Sequence, residues 1–141
     1  MYPTFKKPNN ILKRMGNITT PFGGQTRGES FHPGVDIAAP EGTKIPAVTS
    51  GVVTSVKKSN NGFGNTMTVK APNGDTQQFA HLQKALARPG QRVKQGQPIA
   101  KMGATGNVYS KSGGDPSHLD LRIVSAYGRW KNPMTYLRNF K

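Results

Sequence analysis

Apolar and polar residues alternate over several short stretches of the chain and almost nowhere recur at helical spacing. The clearest alternation runs over residues 117–125. Leu119, Leu121 and Ile123 point one way, and His118, Asp120 and Arg122 the other. Residues 51–56 are rich in β-branched side chains and follow a stretch, 40–46, punctuated by Pro and Gly. Residues 66–71 alternate up to Pro72-Asn73-Gly74-Asp75, a strong turn sequence, and 76–82 then run back, so 66–82 reads as a hairpin. Residues 98–102 read as a short strand bounded by Gly96 and Gly103. The best helical candidate is 83–88, one or two turns stopped by Pro89-Gly90.

Many short strands separated by turns predict an all-β fold class: an antiparallel sheet folded into a partly open, barrel-like single domain with very little helix. A basic N-terminal arm, 1–16, precedes the domain, 17–141. The end of the chain, 126–141, is expected to form a cover bearing Tyr127, Trp130, Tyr136 and Phe140. The Gly- and Ser-rich loop 103–115 reads as mobile rather than packed. A length of 141 residues suits one domain with a modest core.

Composition narrows the chemistry. There is no cysteine, which excludes a disulfide scaffold and a thiolate metal site. No run of about 18 apolar residues exists, so no membrane-spanning helix is expected. The first residues are basic but lack an apolar stretch of about 7–15 residues, so the chain is expected to be made without a secretory signal peptide. Twenty Lys and Arg stand against six Asp and Glu, a formal charge of +14. Such an excess serves solubility or attraction to a polyanion. Nucleic acid is disfavoured as that polyanion: there is no helix-turn-helix, no zinc finger and no aromatic ladder, since Phe22, Phe31, Phe63 and Phe79 are expected at loops and strand ends.

With three histidines and six acids, each position can be weighed. His32 and Asp36 are four apart, in His32-Pro33-Gly34-Val35-Asp36. His118 and Asp120 share one face of the last good strand, and His81 ends the hairpin. Imidazole and carboxylate are both good zinc ligands, so a metal site is one reading and ordinary structural roles are the other. Asp115, before Pro116, reads as a turn residue.

The blocks themselves resemble the lysostaphin/LytM-type zinc endopeptidases, which cut peptidoglycan peptides. His32-Pro33-Gly34-Val35-Asp36 is similar to the HxxxD block of that family, and Thr20-Pro21-Phe22-Gly23 to the entry of the domain. Ala47-Val48-Thr49-Ser50-Gly51-Val52-Val53 is similar to its small-residue strand. Phe79-Ala80-His81-Leu82 resembles "YAHL". Val93-Lys94-Gln95-Gly96-Gln97-Pro98-Ile99-Ala100 with Gly103-Ala104-Thr105-Gly106 resembles "VKxGQxIG…GxTG". Ser117-His118-Leu119-Asp120-Leu121 falls where the family has an HLHF-like strand.

This resemblance implies a LytM-type fold, with His32 and Asp36 as metal ligands and His81 and His118 as catalytic histidines. The third family ligand is the second His of HxH, and here that position is Asp120. One His and two Asp leave a bound divalent ion with no net charge. That set suits Zn²⁺ and moves preference toward Mn²⁺ or another harder divalent ion. Arg122, where the family usually carries Glu, either holds Asp120 as a supporting partner or pairs with it in place of a third ligand.

The function implied is metal-dependent hydrolysis of cross-links or stem peptides of bacterial peptidoglycan. The alternative is a catalytically impaired module that binds peptidoglycan or serves as a virion component. Expected partners are peptidoglycan, anionic cell-envelope polymers and phage tail or virion proteins. The expected place of action is the bacterial cell wall, in phage lysis or wall entry.

Overall fold

The computed structural model describes residues 15–26, 29–108 and 116–138. Residues 1–14 of the expected arm, the candidate turn residue Asp115 and Phe140 lie outside these. The described chain carries eleven strands and one short helix: β1 (Asn17–Thr20), β2 (Gly34–Ala38), β3 (Lys44–Pro46), β4 (Gly51–Lys57), β5 (Asn65–Lys70), β6 (Thr76–Leu82), β7 (Lys84–Ala85), β8 (Arg92–Val93), β9 (Pro98–Lys101), β10 (His118–Val124), β11 (Trp130–Lys131) and α1 (Met134–Arg138).

Eight strands form the main sheet in the order β1-β2-β10-β6-β5-β4-β8, with β11 added to the end of β10. A second sheet has the order β3-β9-β7. All pairings are antiparallel, and the sheets do not close on themselves. This is the all-β, partly open architecture expected from the alternation. The hairpin 66–82 is β5 and β6, joined by the Pro72–Asp75 turn, where Gly74 takes a positive φ of 92°.

The period-two rule sets what the core contains. Val35 and Ile37 of β2, Met67 and Val69 of β5, Phe79 of β6 and Leu119 and Leu121 of β10 meet in one cluster with Ile45, Val53, Ile99, Met102 and Leu137. Met15 is part of the same cluster. β10 is unusual because both its faces are buried. Leu119, Leu121 and Ile123 enter the apolar side, and Asp120 and Arg122 lie under loops on the other.

Four expectations are corrected, the last of them for the loop that follows β9. Residues 83–88 do not form a helix. Lys84 and Ala85 pair with Lys101 and Ala100 of β9, and the Leu86 N–H donates to the Ile99 carbonyl at 2.7 Å. Six residues between a strand and Pro89 are too few to offset the cost of a helical nucleus, whereas β9 offers an open edge. Phe79 is not at a strand end but mid-strand in β6, fully buried. Tyr127 does not cover the core. It sits on the turn between β10 and β11, 92% exposed, while α1 closes the sheet through Leu137.

Loop 103–115 is packed over its described part. Gly103 O accepts from His118 N at 3.1 Å, Asn107 N donates to Gly62 O at 2.8 Å, and Thr105 Oγ1 donates to Leu82 O at 2.8 Å. The approach needs glycine. Gly64 has φ of 66°, and a Cβ there would lie 2.4 Å from the Thr105 carbonyl.

A half-buried ion pair ties β11 to the hairpin turn. Asp75 accepts from Lys131 Nζ at 2.6 Å, from Asn73 Nδ2 at 3.2 Å and from the Tyr136 hydroxyl. Burial works to raise the Asp75 pKa, but these donors outweigh it and hold it below the usual carboxylate value.

Candidate functional site

β2 and β10 bring the scarce residues together. In their register Asp120 is directly opposite Asp36, and His118 is opposite Ala38. On its other side β10 pairs with β6, placing Asp120 beside Ala80, the residue before His81. Gly34 permits this crowding. A Cβ there would lie 2.7 Å from Arg122 Cγ and 3.0 Å from Asp120 Oδ1.

His32 precedes β2 in a turn fixed by its backbone. Its N–H donates to Gly24 O at 2.8 Å, and its carbonyl accepts from Gly23 N at 2.7 Å. The ring is 1% exposed. His32 Nε2 is 3.0 Å from Asp36 Oδ1 and 3.9 Å from Asp120 Oδ1. One ligand atom from each of His32, Asp36 and Asp120 lies within 4.8 Å of the others. With the His32 ring neutral and its hydrogen on Nδ1, His32 Nε2 and Asp36 Oδ1 are both buried and lack a hydrogen-bond partner. Burial acts to lower the His32 pKa, but the carboxylates of Asp36, Glu29 and Asp120 outweigh it and raise it to about 8.

Unpartnered buried acceptors facing one another call for a positive charge between them, either a proton on His32 or a cation. One imidazole nitrogen and two carboxylate oxygens are a donor set that zinc and manganese both accept. The residues therefore fit a divalent ion.

Arg122 lies beside this group. Its Nε donates to Asp120 Oδ1 at 3.0 Å and its Nη2 to Asp120 Oδ2 at 2.9 Å, a two-pronged pair. Its guanidinium carbon is 4.7 Å from the centroid of the Phe63 ring. Arg122 Nη2 also reaches Glu29 Oε1 at 3.2 Å, and Glu29 Oε1 lies 3.0 Å from His32 Nδ1. Burial works to raise the Glu29 pKa, while His32 and Arg122 outweigh it and bring it below the ordinary value.

His81 and His118 form a second part, their ring centroids 4.7 Å apart at 44°. His81 Nδ1 is 2.8 Å from Thr105 O, and His118 Nδ1 is 3.0 Å from Pro116 O. A carbonyl only accepts, so each Nδ1 carries a hydrogen and each neutral ring keeps its lone pair on Nε2. Burial, with help from neighbouring His118, lowers the His81 pKa against the raising effect of the Thr105 carbonyl. His81 also has φ of 65°, alone among the non-glycine residues described. Its N–H donates to Phe63 O at 2.8 Å, which helps hold this costly conformation.

All six residues predicted for the site thus lie in one region. Sequence reasoning missed Glu29, and also Phe63 and Thr105. Glu29 stands three residues before His32, a spacing that only the turn 29–32 makes meaningful. Phe63 and Thr105 hold His81 through their backbone carbonyls, which no side-chain pattern reveals.

Residues 30–133 match peptidase family M23. The chain is 40% identical over 105 residues to the peptidoglycan DD-endopeptidase ShyC of Vibrio cholerae, covering 74% of this chain and 22% of that protein. It is 32% identical over 122 residues to the murein hydrolase activator NlpD of Escherichia coli, covering 86% and 29%. The chain therefore spans less than a third of the length of these curated relatives. Among solved structures, the catalytic domain of lysostaphin from Staphylococcus simulans superposes with a TM-score of 0.77 at 28% identity, covering 93% of this chain and 98% of that one. A variant of the catalytic domain of EnpA, a prophage-encoded M23 protein from Enterococcus faecalis, gives 0.70 at 30% identity, covering 85% and 90%.

Proposed function

The chain belongs to peptidase family M23, and on that premise we propose that it is a metal-dependent endopeptidase of bacterial peptidoglycan. One observation carries the reading: His32 Nε2 and Asp36 Oδ1, buried and unpartnered, converge with Asp120 Oδ1. In the proposed site His32, Asp36 and Asp120 hold Zn²⁺ or Mn²⁺. A divalent ion there would polarise a scissile carbonyl and make nearby water more acidic.

The chain's own side chains supply the rest. His81 Nε2 presents a lone pair in a ring that burial keeps neutral, so it can take a proton from a water beside it. His118 Nε2, held through Pro116 O, can pass a proton to the leaving amine or hydrogen-bond to the developing oxyanion when protonated. Arg122 holds both Asp120 oxygens and thereby fixes that carboxylate's plane. Half-exposed Phe31 and Phe63 offer apolar surface beside the site for the substrate peptide.

The sequence charge of +14 favours approach to anionic envelope polymers. Likeness to prophage-encoded EnpA supports a setting in phage lysis or wall entry. The test is zymography on purified sacculi with and without chelator, alongside metal analysis. Clearing that chelator abolishes and Zn²⁺ or Mn²⁺ restores is expected.

A second reading is favoured by one feature. Both Asp120 oxygens accept from Arg122, an arrangement that also suits a closed ion pair in a module that binds peptidoglycan without turnover. Sacculus binding with no bound metal and no clearing would select it.

A further inference from the structure

We propose that Glu29 is a positioning residue that orients two of the three proposed metal ligands, His32 directly and Asp120 through Arg122. The inference rests on the reading that His32, Asp36 and Asp120 hold a divalent ion. A single oxygen, Oε1, makes both contacts: 3.0 Å to His32 Nδ1 and 3.2 Å to Arg122 Nη2.

The first contact sets the tautomer of His32. A carboxylate accepts only, so Glu29 favours a hydrogen on Nδ1 of the neutral ring and a free lone pair on Nε2, against the opposite pull of Asp36 Oδ1 3.0 Å from Nε2. With Glu29 absent, nothing in the described structure holds that hydrogen on Nδ1. The opposite tautomer would point an N–H at Asp36 and leave no lone pair for a metal. The contact also raises the basicity of the ring, which strengthens it as a ligand.

The second contact acts on Arg122. Its Nη2 is shared between Asp120 Oδ2 at 2.9 Å and Glu29 Oε1 at 3.2 Å. Glu29 therefore draws part of the guanidinium's donor capacity away from Asp120, leaving more of that carboxylate's charge for a cation. The Phe63 ring lies against the guanidinium and the Gly34 backbone packs closely against its stem, so Arg122 has little freedom to swing away. Glu29 is itself fixed by the backbone, since its carbonyl accepts from Thr26 N at 2.9 Å.

The experiment uses the full chain and two measurements. Zinc affinity is taken by chelator competition, and the His32 tautomer of the metal-free protein is read from imidazole ¹⁵N shifts at about pH 9.5, above the raised His32 pKa of about 8 where the ring is neutral. Glu29→Ala is expected to weaken zinc binding roughly 10- to 100-fold and to shift His32 away from the Nδ1–H tautomer. Glu29→Asp is expected to recover part of both. Zinc affinity within twofold of the parent, or an unchanged tautomer, overturns the proposal. Should Glu29→Ala fail to fold, Glu29→Gln keeps an acceptor for Nδ1 but removes the charge facing Arg122; it should preserve the tautomer and weaken zinc binding, and unchanged affinity overturns the proposal. If the parent itself takes up no divalent ion, the metal reading fails, while the tautomer measurement still decides the role of Glu29 at His32.

Discussion

Asp36 and Asp120 face each other directly across the antiparallel pair of β2 and β10. Like charges in that position destabilise a sheet unless a positive group is placed against them. His32 stands within 3.0 Å of Asp36, and Arg122 grips Asp120 with two nitrogens. The relationship makes the pair useful for holding a cation and costly without one.

Replacing Asp120 by His should therefore not be a simple gain. Asp120→His removes the two-pronged partner of buried Arg122, and we expect a loss of about 1–3 kcal/mol in unfolding free energy. Adding Arg122→Gln should recover part of it. A double-mutant cycle by chemical denaturation reads the coupling, and additive losses would contradict it.

The raised His32 pKa gives a pH dependence to the metal-free protein. The folded value of about 8 exceeds the ordinary 6.5, so protonated His32 favours the native state. This contribution is fully present below pH 6.5 and disappears as pH rises through 8. The shift corresponds to about 2 kcal/mol. Denaturation in chelator at pH 6 and pH 9 should show this loss in the parent and not in His32→Gln. Metal uptake below pH 8 should release a proton, since metal and proton compete for Nε2.

His81→Ala and His118→Ala should separate turnover from metal binding. Neither ring belongs to the converging triad, so stoichiometric metal should remain while hydrolysis falls by at least about 100-fold. Metal analysis beside a sacculus-release assay checks this. Loss of metal from either variant would place that histidine among the ligands.

Stability far from the site should depend on Asp75. Asp75→Asn weakens the contact with Lys131 and alters that with Tyr136, and a loss of about 1–3 kcal/mol is expected. The depressed Asp75 pKa means that its contribution is present above about pH 4 and fades as pH falls through the folded value. The stability difference between parent and variant should therefore narrow in acid.

Much of this was legible in the chain. Alternation in 117–125 located β10 and correctly sorted Leu119, Leu121 and Ile123 from Asp120 and Arg122, because strand geometry forces that sorting. The Pro72–Asp75 turn specifies the hairpin from local sequence alone. Local pattern did not reveal that 83–88 would be captured by the edge of β9, since the competing partner lies about fifteen residues away. Nor did it reveal Glu29, whose role comes from a turn conformation and from Arg122, 93 positions on. Backbone carbonyls such as Thr105 O carry no side-chain signature at all.

The position of β10 has a consequence for how such a protein can change over time. Paired on one side by β2 and on the other by β6, and anchored below by Leu119 and Leu121, this strand has its backbone satisfied whatever stands at 118, 120 or 122. Its amides should be among the slowest to exchange with solvent. Chemistry and architecture are thus nearly separable here. Residues that face the pocket can therefore be exchanged while the pairing of the sheet persists, with the cost of each exchange set by its side-chain partners rather than by the backbone ladder.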